Sequence, residues 1–160
     1  MKKKLLKIFM IIAILFIAYN AIWFAWSRSK YGKLSEGMEE NSFSNFITPR
    51  YIYAEDGYDY LVKYPGYLSF TGNLSIGLPA TNDNPFTDAL IIWPKVGGKY
   101  EFGALLYEKD ETGKLATEYQ IYIDANGNAL SGEYQEIVEK HKDSIQELFA
   151  KADERWNIFD

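Results

Sequence analysis

Cysteine is absent from all 160 residues. Its absence excludes disulfide staples, thiolate nucleophiles, Cys-type zinc sites and a lipid-modified amino-terminal cysteine. Histidine is nearly as scarce. His141 is the only one, so H-E-x-x-H and every other multi-histidine metal site is ruled out. A general base at His141 would need a nucleophile beside it, and the chain has no G-x-S-x-G to supply one. No G-x-G-x-x-G or P-loop offers a phosphate cradle either, so neither metal nor cofactor is expected. Basic charge is thin over most of the chain. Residues 51–160 carry nine Lys/Arg against nineteen Asp/Glu, a net of −10, whereas residues 1–50 carry eight against three, a net of +5. An acidic domain lacks the basic footprint that phosphates require, which excludes nucleic acid as a partner.

What the chain has instead is an apolar opening, "MKKKLLKIFMIIAILFIAYNAIWFAW". From Ile8 to Trp26 no residue is charged, and only Asn20 is strongly polar. At a rise of about 1.5 Å per residue, this run covers roughly 28 Å, close to the thickness of bilayer hydrocarbon. A soluble core helix would keep a polar face, and this one has none. Tyr19, Trp23 and Trp26 gather towards its end, where amphipathic rings settle at headgroup level. The run therefore reads as a membrane-spanning signal-anchor. Lys2, Lys3, Lys4 and Lys7 precede it, and Arg28, Lys30 and Lys33 follow it. That small bias, together with the free amino group, sets the amino terminus in the cytoplasm and the rest outside. Ala25 and Ser27 offer a rival reading as a signal-peptidase site, opposed by the length of the run and its bulky tryptophans. The layout resembles a type IV pilin in placing an apolar helix ahead of a β-rich domain. Pilins carry a glutamate near the start of the mature helix and a processing glycine before it. No Glu precedes Lys33 and the only Gly is Gly32, so the chain is not assigned to that family.

Four regions follow from this pattern: a basic cytoplasmic tip at 1–7, a transmembrane helix at 8–26, a linker at 27–50 and an extracytoplasmic domain at 51–160. The linker has weak apolar periodicity and many small or charged residues, with room at its start for a helical turn continuing out of the membrane. The domain begins β-rich. "YDYLVKY" alternates Tyr58, Tyr60, Val62 and Tyr64, with Pro65-Gly66 turning the chain after it. In "YLSFTGNLSIGL" the residues Leu68, Phe70, Leu74, Ile76 and Leu78 share one parity. "ALIIWPKVGGKYEFGALLYE" reads as two strands about Gly97-Gly98, and a hairpin turns at 110–113 into a strand bearing Leu115, Thr117, Tyr119, Ile121 and Ile123. From Tyr134 the periodicity changes. Ile137, Val138, His141, Ile145, Leu148, Phe149, Ala152 and Trp156 form a helical stripe, with Ser131 placed to cap its start. Glu136 with Lys140 and Glu147 with Lys151 have i,i+4 spacing outside it. The expected fold is α+β: an antiparallel meander of about five strands covered by one long carboxy-terminal helix.

Candidate binding residues come from the aromatic distribution. Tyr51, Tyr53, Tyr58, Tyr60, Tyr64 and Tyr67 place six tyrosines within seventeen residues. Exposed, they would stack on sugar rings, form a peptide-binding face or rest on the membrane surface; packed, they are ordinary strand residues. "TNDNPFTD", residues 81–88, is a polar loop suited to recognition or to turning, and Asn73-Leu74-Ser75 is a glycosylation sequon. In "IDANGN" the residues Asp124, Asn126 and Asn128 alternate as calcium ligands do. The sixth and twelfth loop positions are Ala129 and Gln135, where an EF-hand requires Gly and Glu. A turn using Asn126-Gly127 is the better reading. With no catalytic set in the sequence, the expected function is binding by a small acidic domain tethered to the membrane, its partner an envelope protein, polymer or peptide. Two alternatives stand beside it: a carboxylate-dependent envelope enzyme, and an immunity or inhibitor protein against a basic partner.

Overall fold

The computed structural model describes residues 2–78 and 86–159. Residues 81–85 of the polar "TNDNPFTD" loop lie outside that range. A long helix, α1 (Lys2–Leu34), is followed by seven strands: β1 (Glu39–Glu40), β2 (Arg50–Glu55), β3 (Tyr58–Lys63), β4 (Asn73–Gly77), β5 (Ala89–Pro94), β6 (Tyr100–Lys109) and β7 (Leu115–Ile123). Two helices close the chain, α2 (Gln135–Lys140) and α3 (Lys142–Trp156). The strands pair antiparallel in sequence order, an unbroken meander.

Seven strands stand where about five were expected. β3 to β7 fall within the five expected segments, and β1 and β2 are additional. In β2 the apolar Ile52 faces away from Tyr51 and Tyr53, so both parities carry large side chains and the alternation is hidden. The hairpin joining β2 to β3 turns on Asp56 (φ 51°) and Gly57 (φ 80°), the pair of positive angles that a two-residue primed turn needs. The other departure lies at Leu68 and Phe70, which precede β4 rather than belonging to it. Gly72 sets that boundary, because a Cβ there would fall 2.2 Å from the Lys63 carbonyl and 2.8 Å from the Tyr31 ring.

One sheet face is covered. Tyr58, Tyr60, Val62, Leu74, Ile76, Leu90, Ile92, Phe102, Ala104, Leu106, Ile121 and Ile123 are buried there beneath the carboxy-terminal helices. The helices meet the sheet through Val138, Ile145, Leu148, Phe149, Ala152 and Trp156, the expected stripe. The stripe is interrupted at His141 (φ −102°, ψ 14°), whose N–H is shared between the carbonyls of Ile137 and Val138. Ser131 makes no side-chain cap; a single 3-10 turn, Gly132–Tyr134, leads into α2. Lys140 and Lys151 pair with Glu108 and Glu154 instead of their i,i+4 partners.

The stretch from 27 is the larger correction. Helix α1 runs on to Leu34 and packs on the covered face of the sheet. Trp23, Ser27, Tyr31 and Ser35, four residues apart, form its buried edge. Tyr31 is wholly buried, and its hydroxyl accepts the Gly72 N–H at 2.7 Å. Burial pushes the Tyr31 phenol up to about 12. The Trp156 indole donates to the Leu34 carbonyl at 3.0 Å, and Arg155 donates to the Glu36 carbonyl at 2.6 Å, joining the end of α1 to the end of α3. Burying a large apolar side chain contributes roughly 1.5–3 kcal/mol. Surface ion pairs contribute at most about 1 kcal/mol. The aromatic contacts therefore dominate, and residues 27–34 of the expected linker are a packed helix.

Candidate binding surface

The six tyrosines do not assemble into an open platform. Tyr58, Tyr60 and Tyr64 are buried, and Tyr51 and Tyr53 are half-buried on the same covered face. Their rings are occupied by one another and by the helices: Tyr51 lies 5.6 Å from Tyr64, Tyr53 lies 6.1 Å from Tyr60, and Tyr60 meets Trp156 edge-on at 5.7 Å. Tyr31 lies 5.4 Å from Tyr64. The Arg155 guanidinium sits 4.7 Å over the Tyr53 ring. Tyr67 alone is well exposed, and its hydroxyl donates to Asn20 Oδ1 at 2.7 Å. Period-2 alternation put these rings on one face, and two helices then took that face.

Among the described residues no helix covers the opposite face, and the tyrosine pattern gave no hint of it. Antiparallel pairing lines up Ile52, Leu61, Ser75, Ile91, Gly103 and Tyr122 across it in one row. The Trp93 and Tyr122 rings meet at a tilt with centroids 5.3 Å apart, and the indole lies over Gly103, where a Cβ would fall 2.7 Å from it. Between β2 and β5 the small residues Ala54, Ser75, Gly77 and Ala89 leave a hollow of about 710 Å³, with the carboxylates Glu39 and Asp59 among its lining groups. The volume suits a side-chain cluster or a small molecule. A signal for this face existed. "ALIIW" and "GALLY" are apolar at both parities, as strands are when both faces carry apolar side chains.

His141 is held by a residue from outside its helix. Its Nδ1 lies 2.6 Å from Asp88 Oδ2, and both side chains are largely buried. Asp88 Oδ1 also accepts the Tyr107 N–H at 3.1 Å. The pair therefore fastens the chain entering β5 to the break between α2 and α3, a structural task. Asp88 could not have been singled out from spacing, since 53 residues separate the two.

Asp124 is likewise committed. Its Oδ1 accepts the N–H groups of Asn126 at 2.9 Å and Asn128 at 2.8 Å, and the Asn128 amide reaches both carboxylate oxygens. These donors, the Asn128 N–H first, hold its carboxyl below the usual range. Gly127 takes φ 80°, as the turn reading requires. Among the described residues, no group of three or more His, Asp or Glu side chains is placed to hold a metal ion.

The apolar part of α1 has no such partners. Its large side chains from Leu5 to Ile17 are between 49% and 70% exposed. By length and composition this helix is able to cross a membrane, and it is the one such helix among the described residues. No protein-family model, no curated protein and no solved structure matches the chain.

Proposed function

We propose that the chain is a single-pass membrane-anchored binding protein. Helix α1 spans the bilayer with its lysine tip in the cytoplasm, and the α+β domain outside presents the bare sheet face to a partner. The observation that carries this reading is the contrast between the two sheet faces. One is closed by its own helices. The other keeps Ile52, Leu61, Trp93 and Tyr122 in reach of solvent around an unfilled hollow. An apolar surface of this kind is what a docking face presents to a partner. The acidic groups beside the hollow favour a partner segment that carries a basic residue next to its apolar anchor.

Two measurements test it. Protease added outside intact, envelope-permeable cells removes a carboxy-terminal tag if the domain is outside; a fully protected tag overturns the topology. Capture from solubilised membranes recovers a partner with the native chain and loses it with Leu61→Arg at an unchanged melting temperature. A partner retained by Leu61→Arg removes the bare face from the interaction.

A further inference from the structure

Helix α1 leaves its exposed apolar stretch between two loops of the domain. The loop after β3 holds it on one side: the Tyr67 hydroxyl donates to Asn20 Oδ1, Trp23 Nε1 donates to the Ser69 carbonyl at 2.6 Å, and Phe70 meets Tyr19 edge-on at 6.0 Å. The loop between β1 and β2 holds the other: Phe46 stacks on Phe24 at 5.6 Å, and Arg28 donates to the Phe46 carbonyl at 2.5 Å. Both loops are thus fixed at the level of residues 19–28, where the apolar run gives way to charge.

The side chains these loops turn outward are the wrong ones for water. Phe43 is 76% exposed and Phe46 77%, with Ile47, Tyr67 and Leu68 between 44% and 51%. Leu68 is held at φ 63°, a left-handed conformation that leucine seldom adopts. Beyond this apolar ring stand the cations Arg28, Lys30, Arg50 and Lys63, with Glu40 and Glu101 also at this end and Glu101 paired to Lys95. Arg28 lies over the Phe24 and Phe46 rings at 5.0 and 5.3 Å. Lys30 donates to the Lys95 carbonyl, and Arg50 pairs with Lys63 in register at this end of the sheet. The far end of the strands carries Glu55, Asp56, Asp59, Glu108, Asp110 and Glu111, outnumbering Lys109 and Lys114 there. Along the helix axis the order is apolar helix, aromatic and aliphatic loop tips, then cations. Hydrocarbon, interface and phosphate follow the same order in a bilayer leaflet.

We infer that these two loops form a collar seated in the interfacial layer of the bilayer that α1 crosses, with Phe43, Phe46 and Leu68 inserted among acyl chains and Arg28 at phosphate depth. The inference rests on the anchor reading above. The occupant is lipid because the collar is continuous with the apolar helix and surrounds its exit. Seated in this way, the domain is held in one orientation, with its acidic edge away from the membrane.

The cysteine-free chain allows a direct test with single cysteines. Phe43→Cys, Phe46→Cys, Leu68→Cys, Ile14→Cys and Glu111→Cys, each in the full chain, carry a polarity-sensitive fluorophore in phosphatidylcholine–phosphatidylglycerol vesicles. Spin-labelled lipids bearing the quencher near the headgroup should quench positions 43, 46 and 68 several-fold more than 111, and deep spin labels should quench 14. If 14 is quenched and the three collar positions match 111, the anchor stands and the collar is overturned. If the collar positions are shielded from aqueous iodide but untouched by spin-labelled lipid, a second copy or another protein covers them, and lipid is again overturned. If 14 is not quenched, the anchor reading fails and takes the collar with it.

Discussion

Residues 5–17 and 23–34 of helix α1 share a backbone conformation and differ in everything around it. The first stretch, Lys7 apart, offers large apolar side chains that are all exposed among the described residues. The second buries only one edge, Trp23, Ser27, Tyr31 and Ser35, and leaves charged Lys33 exposed on another. An all-round apolar surface needs a solvent of its own kind, whereas a single apolar edge needs one protein face. Hydropathy alone places the boundary between them poorly, because Trp23 and Trp26 of the second stretch prolong the uncharged run that begins at Ile8. Spacing separates them well.

The comparison is broken most severely at Tyr31. Replacing it with alanine empties a fully buried site and should cost about 4 kcal/mol, as aromatic-to-alanine core changes do. Ile14→Ala should leave domain stability within about 0.5 kcal/mol, as changes outside a protein core do. Chemical denaturation of the full chain in micelles, followed by tryptophan emission, measures both; equal losses would mean the two stretches are not distinct. A smaller effect sharpens the boundary between them. Trp23→Phe keeps an aromatic ring and removes the bond to the Ser69 carbonyl, so a loss of about 1 kcal/mol is expected by the same assay.

The smallest effect lies far from α1 and serves as its reference. Asp124→Ala removes an acceptor from a half-exposed turn and should cost about 1 kcal/mol or less at neutral pH. Its carboxyl is depressed in the folded chain, so its contribution is complete above the ordinary carboxylate value of about 4. That contribution declines as pH falls and is lost once pH passes below the folded value. Native and variant melting temperatures should therefore converge in acid. A gap that persisted there would assign the effect to packing rather than charge. Calcium should leave both melting temperatures unchanged.

Much of the sheet could be read in advance, because Tyr58, Tyr60 and Val62, and again Ile121 and Ile123, alternate cleanly. The carboxy-terminal stripe was equally plain. The Asp56-Gly57 pair carries a primed-turn signal of its own, but large side chains at both parities of β2 blur the strand that leads into it. The packed end of α1 was harder. Two of its four buried positions are serine, and Arg28, Lys30 and Lys33 stand among them, so polarity concealed a four-residue repeat that geometry makes obvious. The bare face was the least legible feature. Apolar runs at both parities in β5 and β6 promised a second covering layer, but nothing local distinguishes a cover supplied by this chain from one supplied by a partner.

The bond between the Trp156 indole and the Leu34 carbonyl spans 122 residues. Every strand of the meander finds its neighbour a few residues after it emerges, so the sheet can assemble progressively during synthesis. The packed end of α1 can reach β3 early, but Tyr60 and Leu34 wait for the last turn of α3. Closure of the covered face therefore waits for residue 156. A chain stopped in the 140s would carry its sheet with that face uncovered, and added protease should cleave it faster than the full chain.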